Sequence, residues 1–177
     1  MNMKSWSVIA VSITALAAAG SVAWAVQGND NVKVPDGLAY AEFKGYEDWQ
    51  SVAVSQTKDQ IKVIVANPTM IAAFRNGLPA QGKTFPDGSK VVKVEWSFKT
   101  NTQAPYAVKV PDQLKTVAMI LKDTKRFPKT HGWAYAVFDY DPATKTLKPQ
   151  GTGAECGYEC HSKVAAQDYT YTRYALR

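Results

Sequence analysis

The sequence predicts an α+β fold, built mainly from an antiparallel β-sheet with one or two short helices. Five or six segments are rich in Val, Ile, Thr and aromatic residues and are separated by turn formers, which is typical of strands. Residues 67–77 carry helix signals at both ends. Strands that outnumber helices this strongly favour a mainly antiparallel sheet.

The first half of this domain is predicted as a hairpin followed by a helix. Residues 50–55 and 61–66 are rich in Val and Ile, and the polar residues 56–59 between them are predicted to form the loop. Asn67 then suits an N-cap, Pro68 the first helical position and Gly77 the end of the helix. Before the hairpin, a short helical or extended piece should bring aromatic side chains to the core.

The later strands are predicted from alternation and β-propensity. In the first of them, Val92, Val94 and Trp96 face one side, whereas Lys93 and Glu95 face the other, which indicates a half-buried strand. The segments predicted as strands are 90–98, 114–121, 133–140 and 169–174. Segments rich in turn formers, and therefore predicted as irregular, are 79–88, 139–146 and 149–153.

The N-terminus is predicted as a signal peptide, residues 1–25. Lys4 precedes an apolar run at 8–19, and Ala23-Trp24-Ala25 forms a small-x-small cleavage site. A membrane anchor is the alternative, but the run is shorter than the roughly 20 apolar residues of a bilayer span. We therefore expect a periplasmic protein with no membrane span after cleavage, a flexible leader at 26–39 and one folded domain at 40–177.

The charge excludes little beyond nucleic acid. Lys and Arg number 21 against 15 Asp and Glu, which gives a formal net charge of +6, and the excess is spread thinly along the chain. The basic and aromatic clusters of nucleic-acid modules are absent, so no nucleic-acid partner is expected. The charge suits solubility and weak steering toward acidic partners.

The most informative motif is Cys156-Gly157-Tyr158-Glu159-Cys160-His161. Covalent attachment of a c-type haem needs two thiols for the porphyrin vinyl groups and a His directly after the second Cys as iron ligand. The usual spacing has two residues between the cysteines, and here there are three. Gly157 could accommodate the extra residue in a backbone bulge.

A disulfide is the alternative for these two cysteines. In an oxidising compartment Cys156 and Cys160 could close a small loop, with His161 beside them by coincidence. Against this, they are the only cysteines, and one of only two histidines follows the second.

The chain resembles the cytochrome P-460 family, which includes the cytochromes c′-beta, from about Tyr40 to Arg177. The resemblance rests on the order and spacing of several pieces rather than on any single one. The pieces are Asn67-Pro68, Phe85-Pro86-Asp87-Gly88 before the strand at 91–96, residues 122–127, Gly132-Trp133-Ala134-Tyr135, the haem motif and residues 168–174.

The resemblance implies a mostly antiparallel β fold, a homodimer and a covalently bound haem c. Cys156 and Cys160 match the thioether cysteines and His161 the proximal ligand, on what we expect to be a C-terminal haem-binding loop. Many members add a covalent bond from a Lys to the porphyrin edge, and Lys83 is the only Lys in the matching loop at 79–88. Members with that bond and a polar distal pocket oxidise hydroxylamine, whereas relatives with an apolar pocket bind nitric oxide.

A second axial ligand is not expected. Met70 and Met119 lie in apolar segments typical of core residues, and His131 suits a surface position. Glu155, Glu159 and Asp168 near the motif are expected to be solvent-exposed carboxylates.

Three hypotheses result. The first is a periplasmic c-type haem protein with an open axial site, which oxidises hydroxylamine or a related small nitrogen compound and passes electrons to a soluble redox partner. The second is a non-enzymatic nitric oxide or gas-binding haem protein, and the third a haem-free exported protein with a Cys156–Cys160 disulfide.

Overall fold

The structure, a computed structural model, describes residues 31–34, 37–80, 82–151 and 155–177. The predicted signal peptide and the start of the predicted leader lie outside the described residues. In the described part of the chain, no helix is long and apolar enough to cross a membrane.

Six antiparallel strands form one sheet in which every strand pairs with the next along the chain. The strands are β1 (Gln50–Gln56), β2 (Gln60–Ala66), β3 (Lys90–Asn101), β4 (Val108–Lys122), β5 (Trp133–Asp141) and β6 (Thr146–Pro149). The α-helices are α1 (Pro68–Arg75) and α2 (Glu155–His161), and short 3-10 helices lie at Tyr40–Phe43, Tyr46–Asp48, Pro128–Thr130 and Ser162–Gln167. This confirms the predicted mainly antiparallel α+β fold.

Helix α1 begins where the sequence predicts. The Asn67 side chain accepts hydrogen bonds from the backbone N–H of Met70 (3.1 Å) and of Lys90 (3.0 Å), and donates to the carbonyl of Gly88 (2.8 Å). The same residue therefore caps the helix and fastens the irregular loop at 79–88 to the start of β3. Gly77, with φ at +80°, follows the end of the helix, as a C-terminal Gly does.

One face of the sheet packs against the N-terminal segment. Val92 and Val94 of β3 are buried on this face, as their alternation predicts, and Trp96 is partly buried. Val34 and Leu38, 1% and 0% exposed, pack in the same core. The domain therefore begins before residue 40, and the described part of the predicted leader belongs to the fold because it covers this apolar face.

The opposite face carries the site. Near one end it is covered by α1, by the loop at 79–88 and by the C-terminal segment, around buried Phe74, Phe85, Trp133 and Tyr135. The next row across the sheet is formed by directly paired residues of four neighbouring strands and is left less covered. That row is Ile64, Lys93, Ala118 and Val137.

Three predictions about local structure are wrong. Strand β6 lies between the two segments predicted as turn-rich and overlaps one residue of each, where no strand was predicted, and the haem motif lies on helix α2 rather than on a loop. Residues 169–174 form no strand, although Tyr174 stacks on Phe74 with ring centroids 5.6 Å apart. β-Propensity reflects how a side chain packs on a half-buried surface, and Tyr169 and Tyr174 achieve that packing without forming a strand.

Candidate haem site

Helix α2 lies unusually close to β5. A Cβ atom on Gly157 would stand 2.3 Å from Cβ and 2.5 Å from Cγ of Tyr135, distances that no side chain tolerates. Gly157 is therefore needed for the close approach of the helix to the strand, and the predicted backbone bulge does not occur, because the residue is helical.

The helix explains how three residues fit between the cysteines. Positions 156 and 160 are four residues apart, which in an α-helix places them one turn apart on the same face. With the usual two intervening residues, the cysteines would be three positions apart. Positions three apart and positions four apart are both neighbours on one face of a helix, so either spacing fits one helical turn. Cys160 is an exposed free thiol.

His161 is oriented by the chain that follows it. Its Nδ1 lies 2.6 Å from the carbonyl oxygen of Tyr169, so Nδ1 carries the proton and donates it. The ring also packs against Tyr135, at 4.6 Å between centroids, and against Tyr171, at 5.0 Å. This tautomer leaves the lone pair of Nε2 for a metal, as in most histidine-ligated sites.

The electrostatics favour the neutral ring that a metal ligand requires. Burial lowers the pKa of His161; the bond to the Tyr169 carbonyl opposes this, and the positive charge of Lys93 adds to it.

A cavity of about 360 Å³ lies between α2 and the sheet. Its sheet wall is mostly apolar, including Ile64, Ala118 and Val137, and the opposite wall is formed by Cys160, His161 and residues 170–172. Tyr135 of β5 also lines this cavity, and its buried hydroxyl has no hydrogen-bond partner in the described part of the chain. A large flat apolar group held by a thiol and an imidazole fits this arrangement of an apolar wall with a few polar groups.

The residue that sequence reasoning missed is Lys93, the only charged side chain among the described residues that line this cavity. Its Nζ lies 2.9 Å from Glu95, which also contacts Lys62 (2.8 Å) and accepts a hydrogen bond from Thr116. Burial alone would raise the pKa of Glu95, but these donors outweigh it and lower the pKa to about 2. The alternation in β3 already placed Lys93 opposite the core residues, and this was the available signal.

Lys83 is not brought together with the motif. It is exposed and lines a second cavity, of about 910 Å³, together with His131 and Asp168. The expectation that Asp168 faces solvent is wrong, because it is buried beside Lys122 at 2.9 Å. Its negative charge compensates the buried ammonium, so the pair is retained in the interior.

The remaining candidates lie as predicted where the structure describes them. Met70 and Met119 are fully buried core residues, although Met119 also borders the smaller cavity, and His131 and Glu159 are exposed. The side chains of Cys156 and Glu155 lie outside the described part.

One of the comparisons with known proteins identifies the family of this chain. A search of curated proteins found no match. The family model described as Cytochrome P460 matches residues 43–172, from the first 3-10 helix through the sheet to the segment that holds His161. This match covers most of the chain and implies a haem cofactor. The chain therefore belongs to the Cytochrome P460 family.

Proposed function

We propose that this chain is a periplasmic c-type haem protein, with haem held by thioethers to Cys156 and Cys160 and by His161 as proximal ligand. The observation that carries the proposal is the bond from His161 Nδ1 to the Tyr169 carbonyl, which directs the other ring nitrogen to metal binding beside a free cysteine and an apolar cavity.

The chain's own residues supply orientation and a dry environment. Tyr169 fixes the imidazole tautomer, and the apolar side chains of the sheet wall exclude water from one side of the cavity. When bound, a haem supplies a redox-active iron that can take a small nitrogenous ligand on its open face. Besides His161, the only Met or His among the described residues that line the cavity is Met119, and Met119 is fully buried. This scarcity of further ligands supports an open axial site.

Hydroxylamine oxidation, with electrons passed to a soluble acceptor, is the first proposed activity. Lys93 gives the cavity a polar side chain, which is the feature that resembles the oxidising members. A distal base would also be needed, and such a base works best with a pKa near the operating pH.

Nitric oxide or gas binding is the second candidate, favoured by one observation. No Asp or Glu lines the cavity in the described part of the chain. The nearby Glu95 carboxylate is engaged by three donors, and its pKa of about 2 makes it a weak base.

A Lys–porphyrin bond, if this member has one, should come from Lys93 rather than from Lys83. Lys93 shares the cavity of His161, whereas Lys83 lines the other cavity. The two cavities adjoin the same stretch of chain. Asp168 and Tyr169 line the cavity of Lys83, and the next residues, 170–172, line the cavity of His161.

Covalent attachment is tested by expressing the full chain with haem-attachment machinery and separating it under denaturing conditions. We expect haem to remain on the polypeptide, and Cys156→Ser with Cys160→Ser to release it. Haem-free protein with Cys156 joined to Cys160 would contradict the proposal. His161→Ala should lose the proximal-ligand features of the spectrum while the thioethers persist.

The absorption spectrum and turnover separate the finer alternatives. A cross-linked macrocycle should shift its bands to the red, and Lys93→Met should abolish that shift, with Lys83→Met as the matched control. A shift lost in Lys83→Met alone would return the assignment to Lys83. Hydroxylamine turnover with an artificial acceptor favours the enzyme, and tight nitric oxide binding without turnover favours the gas-binding protein.

Location and assembly are further parts of the proposal. The predicted signal peptide supports export, the resemblance supports a homodimer, and the net charge of +6 suits an acidic redox partner. Cell fractionation and sedimentation of the purified protein test the first two directly.

A further inference from the structure

A second cavity lies at the end of β4 and the start of β5, outside the site described above. Its volume of about 910 Å³ is larger than that of the haem cavity and falls in the range of small-molecule sites. The groups that converge on it are Lys83, Lys122, His131, Asp168 and Tyr169.

The backbone around this cavity is held in an unusual conformation. His131, Asp168 and Tyr169 have φ values of 54°, 46° and 59°. In the described part of the chain the only other non-Gly residue with positive φ is Lys145, in the β5–β6 turn. Left-handed conformations of non-Gly residues cost free energy and concentrate where side chains must be aimed at a ligand.

The cavity wall contains a buried ammonium with unused donors. Lys122, whose side chain is 4% exposed, donates to Asp168 Oδ1 at 2.9 Å and lies 4.9 Å from the centre of the Trp133 ring. Asp168 also accepts from Trp133 Nε1 (3.2 Å) and from the backbone N–H of Phe85 (2.7 Å). The carboxylate is therefore largely committed, while a Lys has three N–H donors and Lys122 spends one on Asp168. With Lys83 at the rim, the charged side chains of the lining sum to a positive charge.

An aromatic surface stands beside these charges. The rings of His131 and Tyr169 are stacked at 5.0 Å between centroids and 17° between planes. The lining also includes three alanines, Ala80, Ala165 and Ala166, whose small side chains take up little of the cavity.

We propose that the second cavity binds a small aromatic carboxylate, with its carboxylate on Lys122 and Lys83 and its ring against the His131–Tyr169 pair. The combination of ammonium groups with a flat aromatic wall selects a ligand that has both an anionic and an aromatic part.

The two sites share Tyr169. Its ring lines the second cavity, and its carbonyl oxygen accepts the 2.6 Å bond from His161 Nδ1. A ligand against the ring therefore acts on the residue that orients His161. This consequence, unlike the binding itself, rests on the proposed haem function.

The binding is tested by isothermal titration calorimetry of the full chain with benzoate, with neutral benzamide as the matched probe. We expect benzoate to bind and benzamide not to. Lys83→Gln should weaken binding by about threefold to fivefold, as expected for a partly exposed charge pair. His131→Asn, which keeps a residue type that tolerates positive φ, should weaken it by about threefold to tenfold through the lost stacking. Lys129→Gln removes an exposed charge from the same loop outside the cavity lining and should change nothing.

Three results would overturn the site: no heat with benzoate, equal affinity for benzamide, or equal loss in Lys83→Gln and Lys129→Gln. Inorganic phosphate binding as tightly as benzoate would refute the aromatic part. In haem-loaded protein, benzoate should shift the absorption spectrum of wild type, and His131→Asn should need about threefold to tenfold more benzoate for half of the same shift. An unchanged wild-type spectrum at saturation would refute the link through Tyr169. Calorimetry needs no haem, so it judges the second site even if the haem proposal fails.

Discussion

Gly157→Ala tests the close approach of the motif helix to the sheet. In an ordinary helix this change is stabilising by about 1 kcal/mol, because Ala is the better helix former. Here the added Cβ would meet Tyr135 Cβ at 2.3 Å and Cγ at 2.5 Å, and no side-chain rotation can move the Cβ atom, whose position is fixed by the backbone of β5. Contacts between carbon atoms are comfortable at about 3.5–4.0 Å, so α2 would have to move by roughly 1 Å.

The steric cost should exceed the gain in helix propensity. Overpacking a core costs about 1–3 kcal/mol, and occasionally more. The site has little room to relax, because Tyr135 is 4% exposed and its ring already contacts His161. The steric cost should therefore lie in the upper part of that range, at about 2–3 kcal/mol. Less the gain of about 1 kcal/mol in helix propensity, this leaves a net loss of about 1–2 kcal/mol, which for a domain of this size lowers Tm by about 2–8 °C.

Thermal unfolding of the purified protein measures the effect. Glu159→Ala, in the same helix with an exposed side chain, is the matched control and should stay within about 0.5 kcal/mol of wild type. Gly157→Ala as stable as wild type, or more stable, would refute the close packing of α2 on β5.

Three further predictions address buried charge, pH and capping. Asp168→Asn should lower the free energy of unfolding by about 3–5 kcal/mol in urea titrations, because it leaves the ammonium of Lys122 buried without its counter-charge. A loss below about 1 kcal/mol would contradict this prediction. The pKa of Glu95 is lowered from 4.5 to about 2, so the carboxylate should stabilise the fold fully above pH 4.5 and lose this contribution as the pH falls toward 2. The difference in unfolding free energy between wild type and Glu95→Gln should therefore shrink over that pH range. A difference that stays constant would argue against the pKa shift. Asn67→Ala should cost about 1–2 kcal/mol in the same titration, since two backbone N–H groups lose their acceptor, and an unchanged midpoint would count against the cap.

The features that could be predicted are those encoded by neighbouring residues. Helix α1 was predicted with its cap because Asn67, Pro68 and Gly77 act within one or two turns. The first five strands were predicted because alternation and β-propensity are local. The same local rules missed β6 among turn formers and predicted a strand at residues 169–174, where Tyr169 and Tyr174 pack individually on the core.

The site was predictable only in its sequence-adjacent part. The motif of Cys156, Cys160 and His161 is visible because its three residues stand within one short segment, and the family match supports the haem it implies. Lys93 was missed because only its pairing partners in the sheet distinguish it from other lysines. Those partners, Ile64 and Ala118, lie on strands that are distant in sequence.

The positions of the first five strands, the capped helix and the haem motif thus follow from short stretches of sequence, where propensity and spacing act between near neighbours. The tertiary structure decided which lysine faces the cavity of His161, why position 157 must be Gly, and that Asp168 is buried. Each of these depends on a pair distant in sequence, such as Gly157 with Tyr135 or Asp168 with the Phe85 backbone. Such pairs form only when folding brings their elements together, and no local pattern encodes them.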